Sequence, residues 1–339
     1  MTVSVPTTSE FNTLAARVTA LEQARQPPVV VAPPTILTAK ERVLNLFTSI
    51  RGRQWVLSQM CHNDMHEQTL CMQAGLDPAL LIGDLYMDFS TTLSSGVIGP
   101  LLAFARVGGL IGCNAIMPNP ITNGNAQDRS LINPGQMTTV GTPQYNAFIT
   151  ATDRIIAALK PIDDAGFALI HRCFWEADQG SFWWNVGGDP NQPGLFSVQQ
   201  YQDLWRIYAA RVRQTLKNVI LVWSTNGNRV DHYPTECDII GFDYYGNSPA
   251  DLTNHYNALL GKSSTKPIWM AEFGSGGWQA GDPNFNVQTL LACVRNNMPA
   301  LTMICAWSGE ANAGWQWGRY QDLIALRSPS VLQLGDFQL

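Results

Sequence analysis

Residues 167–176 read FALIHRCFWE, residues 201–212 read YQDLWRIYAARV, and residues 218–224 read NVILVWS. The first and third are short runs of β-branched, aromatic and other apolar residues. Between them Tyr201, Leu204, Trp205, Tyr208, Ala209 and Val212 recur at i, i+3, i+4, i+7, i+8 and i+11, the apolar face of one helix. Strand, helix, strand is the building unit of a parallel sheet. Outward from this stretch the alternation continues, with candidate strands at Gln54–Met60, Ala79–Tyr86, Gly108–Ala115, Phe167–Glu176, Val219–Ser224, Asp238–Tyr245, Pro267–Gly274 and Leu301–Ser308. Before the fourth strand, Tyr145, Phe148, Ile149, Ile155, Ile156 and Leu159 form a second helical stripe with Thr152 as its polar member. Eight such units predict an α/β fold, a (β/α)8 TIM barrel over residues 38–339. An open doubly wound sheet is the competing arrangement, but no G-x-G-x-x-G follows the first strand. There is no internal repeat.

Residues 1–37 have a different character. Phe11, Leu14, Val18 and Leu21 are spaced 3, 4 and 3, the rhythm of a coiled coil, so residues 1–25 are expected to form a short helical arm. A helix of this length is marginal alone, and it would be buried by self-association, a trimer around Phe11, or by partner helices. An amphipathic helix lying on the main domain is the alternative, because two heptads fall short of the ~3 to 4 that define a coiled coil. Residues 26–37, QPPVVVAPPTIL, carry two proline pairs and read as an extended linker.

Composition narrows the function. The 339 residues are 45% hydrophobic and 14% charged, with 21 Lys+Arg against 26 Asp+Glu, which excludes disordered and collagen-like chains. No Lys/Arg-rich run offers a footprint for nucleic acid or an anionic membrane, so a neutral partner is favoured. The uncharged stretches 89–105 and 130–152 are broken by Gly, Pro and polar residues, and neither supplies the ~20 apolar residues of a membrane span. The N-terminus MTVSVPTTSEF has no basic patch followed by an apolar core, so no secretory signal is expected. Seven cysteines without any C-x-x-C read as reduced, buried thiols.

Other chemistries are weakly supported. Cys61, His62 and His66 could be assembled into a zinc site, but H-x-x-x-H lacks the glutamate of H-E-x-x-H and a further ligand. Ser275 has no glycine two residues before it, so there is no nucleophile elbow, and no P-loop is present. Neither cofactor nor metal is expected. Two strands carry a glutamate at or near their C-terminal ends, Glu176 and Glu272, where barrels place reactive groups. Such a pair can flank a glycosidic bond, one group protonating the leaving oxygen and the other attacking the anomeric carbon. The alternative for each alone is an ion pair with a nearby arginine or a helix cap. Eleven tryptophans, several beside acidic residues in loop-like segments, favour a sugar.

The chain resembles glycoside hydrolase family 26, best known for β-mannanases. The family's acid/base segment reads like R-P-x-H-E followed by N-G-x-W-F-W-W-G, and RCFWEADQGSFWWNVGG at 172–188 aligns without a gap, matching at Arg172, Glu176, Phe182, Trp183 and Trp184. LDPALLIGDLYMDF at 76–89, MPNP at 117–120, CDIIGFDYYG at 237–246 and KPIWMAEFG at 266–274 look alike in the same order. The resemblance covers about residues 38–339. It implies a retaining hydrolase with Glu176 as acid/base, Glu272 as nucleophile and Tyr245 hydrogen-bonded to the nucleophile. Departures fall at Trp175 (the family's His), Asp178 (its Asn) and Ile116 (its His), so the preferred sugar is expected to differ and Asp178 to raise the pKa of Glu176.

Arg172 and Glu176 share strand parity, so both are expected to point into the barrel and to meet one sugar or each other. Trp183 and Trp184, in a loop with Gly180, Gly187 and Gly188, are expected to offer at least one stacking face, and one of Trp307, Trp315 and Trp317 to floor the central subsite. With its arm the protein resembles a bacteriophage tail enzyme that cuts a host capsule or exopolysaccharide at the cell's outer face. The alternatives are a plain bacterial β-mannanase or xylanase, cytoplasmic or released without a signal, and a non-catalytic polysaccharide-binding virion protein.

Overall fold

The computed structural model describes residues 37–61, 65–86, 90–187, 194–274, 286–307, 317 and 323–339. The expected arm at 1–25 and residues 26–36 of the linker lie outside these, as do His62, Ser275 and Trp315. Thr38–Leu339 form one compact unit. Its strands are β1 (Trp55–Cys61), β2 (Leu80–Asp84), β3 (Leu110–Ala115), β4 (Leu169–Cys173), β5 (Val219–Thr225), β6 (Ile239–Tyr245), β7 (Ile268–Gly274) and β8 (Leu301–Ala306). Each pairs in parallel with the next, and β1 pairs with both β2 and β8, which closes the barrel. A two-residue β9, Val331–Leu332, adds to β1. The expected (β/α)8 TIM barrel is the observed fold.

Helices α1 (Ala39–Ile50), α2 (His66–Gln73), α3 (Ile98–Arg106), α4 (Pro134–Met137), α5 (Pro143–Asp164), α6 (Val198–Thr215), α7 (Pro249–Leu260) and α8 (Val287–Asn297) accompany the strands. None among the described residues is long and apolar enough to cross a membrane. The buried face of α6 is the stripe Tyr201, Leu204, Trp205, Tyr208, Ala209 and Val212 that periodicity picks out. In α5 the polar member Thr152 is buried and donates its hydroxyl to the Phe148 carbonyl, which satisfies it within its own helix.

Alternation along the strands divides the apolar residues into two cores. Val56, Leu80, Ile170, Ile220, Val222, Trp269 and Met303 fill the barrel, joined by Val43, Phe47 and Ile50 of α1. Leu57, Leu81, Ile111, Leu169, Leu221 and Phe242 belong to the core that includes the outer helices. A capping box starts α1: the Thr38 hydroxyl accepts the Glu41 N–H, and the Glu41 carboxylate accepts the Thr38 N–H. Phe47 meets Trp269 edge-on with centroids 4.9 Å apart. All seven cysteines are buried and unbridged.

Two local departures from strand regularity set up the site. Between Phe242 and Asp243 the β6–β7 register slips, so that Ala271 is skipped and Asp243 lies opposite Glu272. Trp269 faces the interior; simple alternation would send Glu272 outward, and the bulge reverses the phase so that Glu272 enters the barrel and Phe273 leaves it. On β4 the strand ends at Cys173, three residues short of Glu176. Phe174 (φ 56°) and Glu176 (φ 50°) are both left-handed, a conformation that costs a non-glycine residue of order 1 kcal/mol. The shared parity of Arg172 and Glu176 is therefore not what brings Glu176 inward; the turn does.

Because Phe47 fills the interior beneath Trp269, Phe47→Ala should cost about 3–5 kcal/mol in urea unfolding. Near-ultraviolet circular dichroism of the folded fraction should stay native, since the other end of the barrel is untouched.

Candidate active site

At the C-terminal end of the barrel one cation is surrounded by acids. The Arg172 guanidinium donates from Nη2 to Glu272, from Nη1 to both oxygens of Asp243 (3.2 Å each) and to Ser224 Oγ (3.2 Å), and from Nε to Asn114 Oδ1 (3.2 Å). Its acceptors come from β3, β5, β6 and β7, so four strands fix one planar group. The Tyr245 hydroxyl donates to the other oxygen of Glu272. One carboxylate oxygen each of Glu176, Asp243 and Glu272 lies within 4.8 Å of the other two. All three acids and the arginine are buried.

Electrostatics separates the two glutamates. Burial, then the charges of Asp243 and Glu272, push the Glu176 carboxyl well above the ordinary range against the opposing pull of Arg172, and Asp178 adds a smaller push. Asp243 is raised by burial and by Glu272. Burial works against the Arg172 cation, but Glu272 and Asp243 more than offset it, and it stays charged. Glu272 accepts the hydrogen bonds of both Arg172 and Tyr245. The environments of the two glutamates therefore differ: Glu176 is pushed toward its protonated form, and Glu272 carries the cation and the hydroxyl.

The turn carrying Glu176 is clamped from outside. Phe174 packs in a cage of Phe148, Trp183, Trp184, Trp205 and Tyr208, with ring centroids 5.0–6.4 Å away, and the Glu176 N–H donates to the Ser224 carbonyl at 3.1 Å. Behind β4, His171 is buried between the Cys113 carbonyl and the Tyr208 hydroxyl, and burial depresses its pKa to about 4; it is a neutral core residue.

A glycosyl hydrolase family 26 profile matches residues 62–318, three quarters of the chain. The chain belongs to glycosyl hydrolase family 26. Among curated relatives, mannan endo-1,4-β-mannosidase A and B of Caldalkalibacillus mannanilyticus is 26% identical over 253 residues, 70% of this chain and 48% of that protein. The mannan endo-1,4-β-mannosidase of Thermothelomyces thermophilus is 30% identical over 136 residues, 39% of this chain and 26% of its own length. The chain therefore spans about half or less of the curated relatives it matches. Among solved structures, the Bacillus subtilis mannanase superposes with a TM-score of 0.75 at 19% identity, covering 89% of this chain and 94% of that one. The Podospora anserina GH26-CBM35 β-(1,4)-mannanase gives 0.69 at 22% identity, covering 93% and 71%.

Set within this family-26 barrel, the residues singled out from the sequence divide into two groups. Arg172, Glu176, Tyr245 and Glu272 converge at the centre. Trp307, half-buried, stands edge-on to Tyr245 with centroids 5.8 Å apart, in place to line the cleft. Trp175 is buried with its ring on Arg172. Asp178 accepts from Thr225 Oγ1 (2.6 Å) and the Asn226 N–H (3.0 Å), holding the ends of β4 and β5 together.

Trp183, Trp184 and Trp317 have no exposed surface, which corrects the stacking role expected of them. Trp183 donates to the Met117 carbonyl and Trp184 to the Trp175 carbonyl, each at 2.8 Å, and Phe182 stacks on Trp184 at 4.4 Å. Trp317 donates to the Ser58 carbonyl and stacks on Phe273. Buried donors satisfied by backbone carbonyls make these indoles core. Cys61 is likewise buried in the core. Asp243, Ser224 and Asn114 are partners that the sequence reading missed; the signal for Asp243 was its place two residues before Tyr245 on an otherwise apolar strand.

Glu176 binds its proton more readily folded than unfolded, so its contribution to stability is complete below about pH 4.3, the unfolded value. It is lost as pH rises through the higher folded value. Glu176→Gln removes this loss. Denaturant unfolding should show the variant gaining on the parent as pH rises from about 5 to about 8, by of order 1 kcal/mol.

Proposed function

We propose that this protein is a retaining glycoside hydrolase that cleaves a neutral, β-linked, mannan-like polysaccharide, with Glu272 as nucleophile and Glu176 as acid/base. The observation that carries the reading is the approach of the two carboxylates within 4.8 Å. Retaining enzymes hold such groups about 5–5.5 Å apart, and inverting ones need about 6.5–9.5 Å for an intervening water. In the first step Glu272 attacks the anomeric carbon while Glu176, kept protonated by its surroundings, passes its proton to the departing oxygen. In the second, Glu176 as base removes a proton from water, whose oxygen displaces Glu272. Tyr245 and Arg172 support the Glu272 charge at both ends of the cycle.

A neutral chain is favoured by how the cations are used. Asp84, Asp178, Asp243, Glu176 and Glu272 stand at or near the ends of β2, β4, β6 and β7, while Arg172 is committed to Glu272 and Asp243. Arg129 donates to the Gly180 carbonyl, and Arg229 to the Gly187 carbonyl and Asp231. A uronate-rich capsule would meet repulsion here. The names of the curated relatives support mannan within the neutral glycans. The departures at Trp175, Asp178 and Ile116 support a backbone that is not plain mannan.

Reducing-end release from a panel of mannans, glucans, xylans and acidic exopolysaccharides should rank the neutral β-linked chains first. Glu272→Ala should abolish release on every glycan, whereas Glu176→Ala should retain activity on aryl glycosides whose leaving groups need no proton. A Glu176→Ala enzyme equally inactive on both substrate types would refute the assignment.

Residues 1–25 and 26–37 support a further proposal, an oligomerising arm on a stiff linker, a trimer or an attachment to tail proteins of a virion acting outside the host cell. Light scattering on the full chain and on a form starting at Thr38 should give an oligomer and a monomer, with hydrolysis retained in both; two monomers would refute the self-associating arm.

A further inference from the structure

Arg172 is held along its edge by acceptors from four strands, and a planar cation also has faces. The centre of its guanidinium lies 4.5 Å from the centroid of the Trp175 ring. Trp175 is 4% exposed. Its indole is itself backed by Phe182 and Trp184, with centroids at 6.2 and 6.3 Å, and its carbonyl receives the Trp184 N–H. It lies between the two left-handed residues Phe174 and Glu176, so the turn that aims Glu176 also lays this ring on the cation.

We propose that Trp175 is a positioning residue that presses the Arg172 guanidinium into the plane shared by Glu272 and Asp243. An indole face attracts a cation most strongly when the pair is desolvated, and both partners are buried here. The contact is directional: it fixes the tilt of the guanidinium, which the in-plane hydrogen bonds leave soft. It also offers the cation no in-plane acceptor, so the N–H groups stay with Asn114, Ser224, Asp243 and Glu272. Trp175 therefore acts through Arg172 on the nucleophile.

The test compares Trp175→Leu, which keeps apolar bulk without a π face, with Trp175→Tyr, which restores one. The kinetic arm rests on the proposed hydrolase activity. Trp175→Leu should lower kcat by about tenfold with little change in KM, equivalent to about 1.4 kcal/mol. Trp175→Tyr should recover most of that loss. A second arm needs no substrate. With side-chain-labelled arginine, and Arg172→Lys to assign the signal, NMR should show the Arg172 Nε–H exchanging with solvent faster in Trp175→Leu than in the parent or in Trp175→Tyr. If Trp175→Leu does not fold, Trp175→Met takes its place with the same expectations. A rise in KM with kcat unmoved would make Trp175 a sugar contact and overturn the proposal, as would identical exchange of the Arg172 Nε–H in every variant. A parent inactive on every glycan, with the NMR difference present, would refute the hydrolase reading and leave the positioning role standing.

Discussion

Everything at the mouth of this barrel depends on one arginine surrounded by carboxylates. Three acids within 4.8 Å of one another could not share a desolvated space if all were ionised. Arg172 donates to two of them, Glu272 and Asp243, while burial and the neighbouring carboxylates push Glu176, and Asp243 as well, toward the protonated form. The division of labour we propose for the two glutamates rests on the counter-charge being nearer one of them than the other. It takes four strands to place that charge, which is why the site requires a closed barrel; an open sheet would leave at least one side of the guanidinium to water.

The fold was legible in the sequence because periodicity is a property of single segments. The candidate strand Val219–Ser224 and the observed Val219–Thr225 differ by one residue, Asp238–Tyr245 and Ile239–Tyr245 likewise, and the face of α6 agrees residue for residue. The strand proposed at Phe167–Glu176 overran. Hydrophobicity continues through Phe174 and Trp175, but the backbone turns at Phe174 because an aromatic cage across the helices seizes its ring, a tertiary fact with no local trace. The phase reversal at Ala271 is equally silent, since a bulge inserts no special residue here.

The residues that converge at the candidate site were legible in the sequence, and the tryptophans around it were misread. Glu176, Glu272 and Tyr245 could be named from motif and strand position. Adjacent indoles in a glycine-rich loop looked like sugar platforms, yet Trp183 and Trp184 anchor the loop to Met117 and Trp175. The error is instructive: a loop that must hold a strained turn needs a core of its own, and large aromatic rings with one N–H each build it from few residues. Of the tryptophans expected as platforms, Trp307 keeps an exposed part, and its backbone N–H donates to the Phe273 carbonyl at 3.0 Å, which ties it to the strand that bears Glu272.

The left-handed backbone at residues 174 and 176 bears on how such a chain drifts under mutation. Glycine would relax either position, and at 176 it would remove a desolvated acid as well. Selection for stability alone would therefore favour replacing Glu176, the proposed acid/base, opening a downhill route from the proposed hydrolase to an inert barrel through substitutions that make the protein sturdier. Only continued demand for turnover holds a glutamate there. In descendants where that demand has lapsed, position 176 should be among the first to change, while the aromatic cage around Phe174, which the fold needs either way, persists.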